Sequence, residues 1–146
     1  MLPERKILPH GIPSWVKTGS EYFITICTEP HGENQLCFPD KAQNIRDSLN
    51  FRRDRGEFWM YLLLLMPDHL HAIMSFPPQI NMQNSLSDWK RYTCTHMKIR
   101  WQRDFFDHRL RKNESYIEKA HYIRMNPVRA GLAKTTDEWP YIWESR

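Results

Sequence analysis

The chain lacks most of the features that mark specialised protein classes. It has three cysteines, Cys27, Cys37 and Cys94, in 146 residues. That odd number, with no CxxC pair, excludes a disulfide scaffold and a cysteine-rich zinc site, and it fits reduced thiols in a cytoplasmic protein. Long apolar runs are missing too. The longest, residues 58–66, is far too short to cross a bilayer, so no membrane partner is expected. The opening MLPERKILPH has no apolar segment of the kind a secretory signal needs. There are no internal repeats and no low-complexity tracts, and the net charge of +4 is only mildly basic.

What is present describes one globular domain spanning residues 1–146. A chain of 146 residues is long enough for one hydrophobic core but not for two, and 40% apolar content with mixed charge places it among soluble globular proteins. The charge is unevenly spread. Residues 90–134 hold 12 Lys and Arg against 4 Asp and Glu, a net of +8, while the rest of the chain carries −4. Tyr92, Trp101, Phe105, Phe106, Tyr116 and Tyr122 interleave with those cations. Basic side chains attract phosphates and aromatic faces stack bases, so single-stranded or hairpin nucleic acid is a natural partner. Charge alone fits a solvated basic face equally well.

The stretch YLLLLMPDHLHAIMSF (61–76) carries the densest signal. Two apolar runs broken at Pro67-Asp68 read as strands 57–66 and 69–76 joined by a tight turn. Alternation on a strand sends His69 and His71 to one face and Leu70 to the other. Two such imidazoles are a ready ligand pair for a divalent metal. A His-x-His pair without a third ligand is also common as plain packing, so the rest of the chain has to supply partners.

Around this hairpin, residues 1–19 read as an irregular arm and 21–28 (EYFITICT) as a strand. Asp40 is the expected cap of a helix over 41–55, with Ala42, Ile45 and Leu49 on its inner face and Gly56 as its stop. A second helix is expected over 85–102 with Leu86, Trp89, Thr93, Met97 and Arg100 at helical spacing, then a short edge strand over 104–108. Asn113 caps a third helix over 114–126 that ends at Pro127, and 127–146 is a tail docked on the body. The order is the ferredoxin-like βαββαβ pattern. It predicts an α+β fold, an antiparallel sheet with helices on one face and an extra C-terminal helix carrying the candidate nucleophile.

On that third helix Tyr122 and Asn126 are four residues apart, hence on one face. Laid over the sheet beside His69 and His71, this face would add an amide oxygen and a phenol. Two imidazoles and an amide leave open positions that Mg²⁺ or Mn²⁺ would fill with water and phosphate oxygens. A phenol beside a metal-bound phosphate can attack phosphorus and form a phosphotyrosine. Spacing alone equally allows Tyr122 to be a core aromatic. Asp68, next to the pair, could orient an imidazole or simply shape the turn. Tyr116 lies on a different helix face, and His108 and His121 read as hydrogen-bonding or surface residues.

Three strings, LLMPDHLHAI, WQRDFFDHRLR and YIRMNPVRAGL, together resemble the REP-associated tyrosine transposases, a branch of the single-tyrosine HUH transposases. The resemblance runs from EYFITICT to EWPYIW, and the interval from His71 to Tyr122 is about that of the family. It implies that His69, His71 and Asn126 hold the metal and that Tyr122 is the nucleophile of a transesterification on single-stranded DNA. The implied substrate is an imperfect hairpin with a short single-stranded foot. Arg91, Lys98, Arg100, Arg103, Arg109, Arg111 and Arg129 are the candidate phosphate contacts. A hairpin-binding protein that no longer cuts is the alternative, and a hydrolase in which the histidine pair activates water is a third. Self-association is left open.

Overall fold

The computed structural model describes residues 12–17, 19–111 and 113–145. Much of the arm expected over 1–19 therefore lies outside the described residues. Its described part holds a 3₁₀ turn, Ser14–Lys17, and Ile12, Trp15 and Val16 pack against the core. The elements run β1 (Glu21–Cys27), α1 (Pro39–Asp54), β2 (Trp59–Met66), β3 (His69–Ser75), α2 (Met82–Met97), β4 (Phe106–Leu110), α3 (Asn113–Arg129) and β5 (Ile142–Glu144). The sheet order is β4-β1-β3-β2-β5, and every pairing is antiparallel. Inserting β3 between β1 and β2 leaves those two parallel, the split βαβ arrangement expected from the sequence.

The sheet is covered on both sides. Ile24, Ile26, Leu63, Leu65, Leu70, Ala72 and Met74 face Ala42, Ile45 and Leu49 of α1 and Leu86 and Trp89 of α2. The opposite faces of the same strands, through Phe23, Leu62, Leu64 and Ile73, meet Tyr116, Ala120 and Ile123 of α3. Because β2 is buried on both faces, its WMYLLLLM reads as an unbroken apolar run rather than an alternation. Among the described α-helices, α3 lies on that side, beside the N-terminal 3₁₀ turn and Trp139 of the tail. Among the described residues no helix is long and apolar enough to cross a membrane.

Several boundaries differ from expectation, each for a local reason. Helix α1 starts earlier: Phe38 is its extended N-cap, Pro39 takes the first turn, where its missing N–H costs nothing, and Asp40 sits inside that turn rather than capping it. Helix α2 begins at Met82 because the Asn81 side chain accepts from the Asn84 N–H at 2.9 Å. It ends where Lys98 turns left-handed (φ 60°), which leaves Arg100 in the following loop. The edge strand β4 lies two residues beyond the expected 104–108, where Phe106–Leu110 can pair with β1. The tail also contributes a fifth strand, β5, bonded to β2.

The largest difference is at Pro127, which lies inside α3 instead of ending it. An interior proline costs about 3 kcal/mol. Buried Tyr116, Ala120 and Ile123 hold the helix on the sheet, and each large buried side chain contributes about 1.5–3 kcal/mol. The stop comes at Gly131, left-handed at φ 76°. The Leu132 N–H bonds the Pro127 carbonyl at 2.9 Å and the Gly131 N–H the Val128 carbonyl at 3.0 Å, closing a Schellman motif. The cap assigned to Asn113 turns on a side chain outside the described ones.

Candidate active site

Strand alternation puts His69 and His71 on the α3 side of the sheet, with ring centroids 4.8 Å apart. Their Nδ1 atoms are both engaged. Asp68 Oδ1 lies 2.8 Å from His69 Nδ1, and Thr25 Oγ1 lies 2.9 Å from His71 Nδ1. Thr25 is opposite His71 in the β1–β3 register, which aims its hydroxyl at that ring. A carboxylate only accepts, so His69 Nδ1 donates and its Nε2 keeps a lone pair. On His71 the Nε2 accepts from the Asn126 amide Nδ2 at 2.8 Å, so its Nδ1 donates to Thr25. In this tautomer both imidazoles present an unprotonated Nε2.

Helix α3 brings the other two groups. Asn126 reaches His71 directly, and Tyr122, one turn earlier, stands with its ring centroid 6.3 Å from the His71 ring. Tyr122 is 46% exposed. It is therefore a solvent-facing phenol and not the core aromatic that spacing also allowed. Phe23 on β1 links the cluster, stacked 5.4 Å from His71 and edge-on to Tyr122 at 6.1 Å. The Arg129 guanidinium lies 4.3 Å over the Tyr122 ring and donates to the Tyr122 carbonyl at 2.6 Å. Lys119 Nζ lies 5.7 Å from the same ring. The Tyr122 ring thus has two cations beside it, Arg129 the nearer.

Burial, followed by the nearby positive charges of His69 and Arg129, pushes His71 down to about 3, so it is neutral at physiological pH, as a metal ligand must be. For Asp68, burial works against ionisation. Hydrogen bonds from His69 and the Gly32 N–H, with the charges of His69 and His31, more than offset it and hold the carboxyl below its usual range. Among the described residues no three His, Cys, Asp or Glu converge on a metal position; the polar side chain that reaches the histidine pair from α3 is the Asn126 amide. The set fits a hard, six-coordinate ion. Bonds of about 2.1 Å place neighbouring donors about 3 Å apart, close to the 2.8 Å between Asn126 Nδ2 and His71 Nε2. A half-turn of the amide would offer its oxygen. The cysteines do not compete: burial and then the Asp68 charge push both Cys27 and Cys37 up, Cys37 to about 12.

The expected phosphate contacts do not form one group. Arg129 is at the tyrosine. Arg91 is on α2, across the sheet, paired with Asp88 at 2.9 Å. Arg100 faces Glu33 at 3.4 Å, Lys98 bonds the Thr95 carbonyl at the end of α2, and Arg103 lies in the loop whose carbonyls the Lys90 ammonium gathers. Arg109 is on the edge strand β4, with Arg111 just beyond it. Tyr116 is buried against Tyr61, its hydroxyl donating to Glu144 at 3.3 Å. Sequence reading missed Thr25, Phe23 and Lys119. Strand parity could have found Phe23, and the i, i+3 spacing from Tyr122 could have found Lys119; Thr25 needed the β1–β3 register.

No family model matches the chain. It is 30% identical over 129 residues to the REP-associated tyrosine transposase of Escherichia coli (strain K12), covering 84% of this chain and 75% of that one. A Haemophilus influenzae protein (strain ATCC 51907 / DSM 11121 / KW20 / Rd) named for the same family is 23% identical over 140 residues, covering 84% and 78%. The solved structure of a REP-associated tyrosine transposase bound to a REP hairpin shares the fold. Its TM-score is 0.73 at 23% identity, over 85% of this chain and 76% of that one.

Proposed function

Because the chain belongs to the REP-associated tyrosine transposases, we propose that it cuts and rejoins single-stranded DNA at the foot of a REP-type hairpin with Tyr122 as nucleophile. The observation that carries this reading is the meeting of an exposed Tyr122 with His71 and Asn126 across two elements, α3 and β3.

The Tyr122 oxygen attacks the scissile phosphorus, the bond to the 3′ oxygen breaks, and the products are a 5′-phosphotyrosine and a free 3′-OH. The phenol proton leaves to the solvent that Tyr122 faces, and the departing 3′ oxygen takes one up. Attack by another 3′-OH reverses the step and joins strands, so no energy-rich cofactor is consumed. Arg129, beside the Tyr122 ring, opposes the negative charge gathering on the phosphate oxygens. His69, His71 and Asn126 would hold Mg²⁺ or Mn²⁺, which supplies charge neutralisation and orientation of that phosphate. Asp68 and Thr25 keep the two Nε2 lone pairs available. Three unbridged thiols suit a cytoplasmic setting.

The test is a labelled REP-type hairpin with a single-stranded foot, incubated with Mg²⁺ or Mn²⁺ and run on a denaturing gel. A covalent protein–DNA adduct should form, disappear on chelation, and be absent with Tyr122→Phe. Binding without an adduct would make the protein a hairpin reader that does not cut. Cleavage surviving in Tyr122→Phe would point to a water-using hydrolase.

A further inference from the structure

Next to the tyrosine lies a second feature that the reaction above does not use. Phe106, on the edge strand β4, is 57% exposed, so a face of its ring is open to a ligand. Its position opposite Thr25 in the register puts its side chain on the same sheet face as His69 and His71. The ring meets Phe23 edge-on at 6.2 Å, and Phe23 in turn touches Tyr122 at 6.1 Å and stacks on His71 at 5.4 Å. One ring therefore separates Phe106 from the phenol. Lys119 closes the gap from above, its ammonium 5.2 Å over Phe23 and 5.7 Å from the Tyr122 ring.

We propose that Phe106 and Lys119 form a nucleotide subsite beside the scissile phosphate, Phe106 stacking the base of an adjoining unpaired nucleotide and Lys119 meeting its phosphate. An exposed ring beside a partly exposed ammonium, with Arg129 beyond, matches what single-stranded DNA offers: a π-face and an anion on each unit. Stacking is tolerant of sequence, so this subsite sets the path of the strand rather than its identity. The buried Phe23 beneath holds ring and phenol in fixed relation, and a base seated on Phe106 keeps the next phosphate near Tyr122.

The inference rests on the DNA-cleaving reading but is tested separately. The probe is a REP-type hairpin carrying 2-aminopurine at each position of its single-stranded foot in turn. One position should be quenched on binding. Phe106→Ala should abolish that quench and weaken binding about tenfold or more, while Phe106→Trp keeps both. Lys119→Met should lower the slope of log affinity against log salt by about 0.7, the loss of one single-strand phosphate contact, and Phe106→Ala should leave that slope unchanged. An adduct forming normally while Phe106→Ala leaves the quench intact overturns the subsite and spares the reaction. A Phe106-dependent quench without any adduct supports the subsite and overturns the cleavage. Failure to bind the hairpin overturns both.

Discussion

At the scale of single residues, the site works by fixing tautomers. His69 and His71 differ in what holds their Nδ1, a carboxylate for one and a hydroxyl for the other. Asp68 also accepts from the Gly32 N–H at 2.8 Å and faces His31 at 3.0 Å, so it ties the loop before α1 to the hairpin turn. Asp68→Ala should weaken Mn²⁺ binding about 10- to 100-fold, read by titration calorimetry, with hairpin binding in chelator little changed. Asn126→Ala should remove a ligand and a hydrogen bond together, while Asn126→Asp should restore metal binding. A calorimetric titration that found the alanine variant unaffected would remove Asn126 from the ligand set. The histidine pair was legible in the sequence because the strand period alone puts His69 and His71 on one face. Thr25 was not, since its role depends on a cross-strand register that no local pattern states.

Among the elements, α3 shows how a correct local rule can be overridden. Proline discourages helix in the residue before it, yet Asn126 and Pro127 are both helical. Tertiary packing of one face outweighs the lost bond, and the true stop is the glycine four residues later. Gly131→Ala places a side chain at φ 76°. It should cost about 1–2 kcal/mol, which lowers the melting temperature by about 3–6 °C for a domain of this size, measured by calorimetry. The three extra residues of helix matter chemically, because they set Arg129 on the same face as Tyr122, seven residues and nearly two full turns on. The sequence did disclose the strand–helix order, the buried Ala42, Ile45 and Leu49 of α1, and Leu86, Trp89 and Thr93 of α2, all at helical spacing, while Arg100 fell outside its helix. It hid β5, three residues long, because so short a strand is defined by its partner β2 rather than by its own composition.

For the whole molecule, the sheet divides labour. The side with α1 and α2 is core, and the side with α3 carries the exposed tyrosine and its cations. That arrangement makes stability depend on pH through the buried His71 ring. His71 titrates at about 3 in the folded chain and near 6.5 when unfolded, so below pH 6.5 the unfolded chain binds a proton that the fold refuses. Stability of the metal-free protein should therefore be full above pH 6.5 and fall steadily as pH drops toward 3. Urea midpoints between pH 7 and 4.5 would show it, and His71→Gln should flatten the slope; an unchanged slope would mean another group is responsible. Finally, Glu144 on β5 receives both the Arg124 guanidinium and the Tyr116 hydroxyl of α3, while its strand covers the outer rim of β2. The tail is thus a hem stitched to the helix that bears the tyrosine. Unpicking it by deleting residues 139–146 would bare a greasy ladder of unpaired amides to a neighbour's, so the shortened protein should elute from a sizing column as clumps.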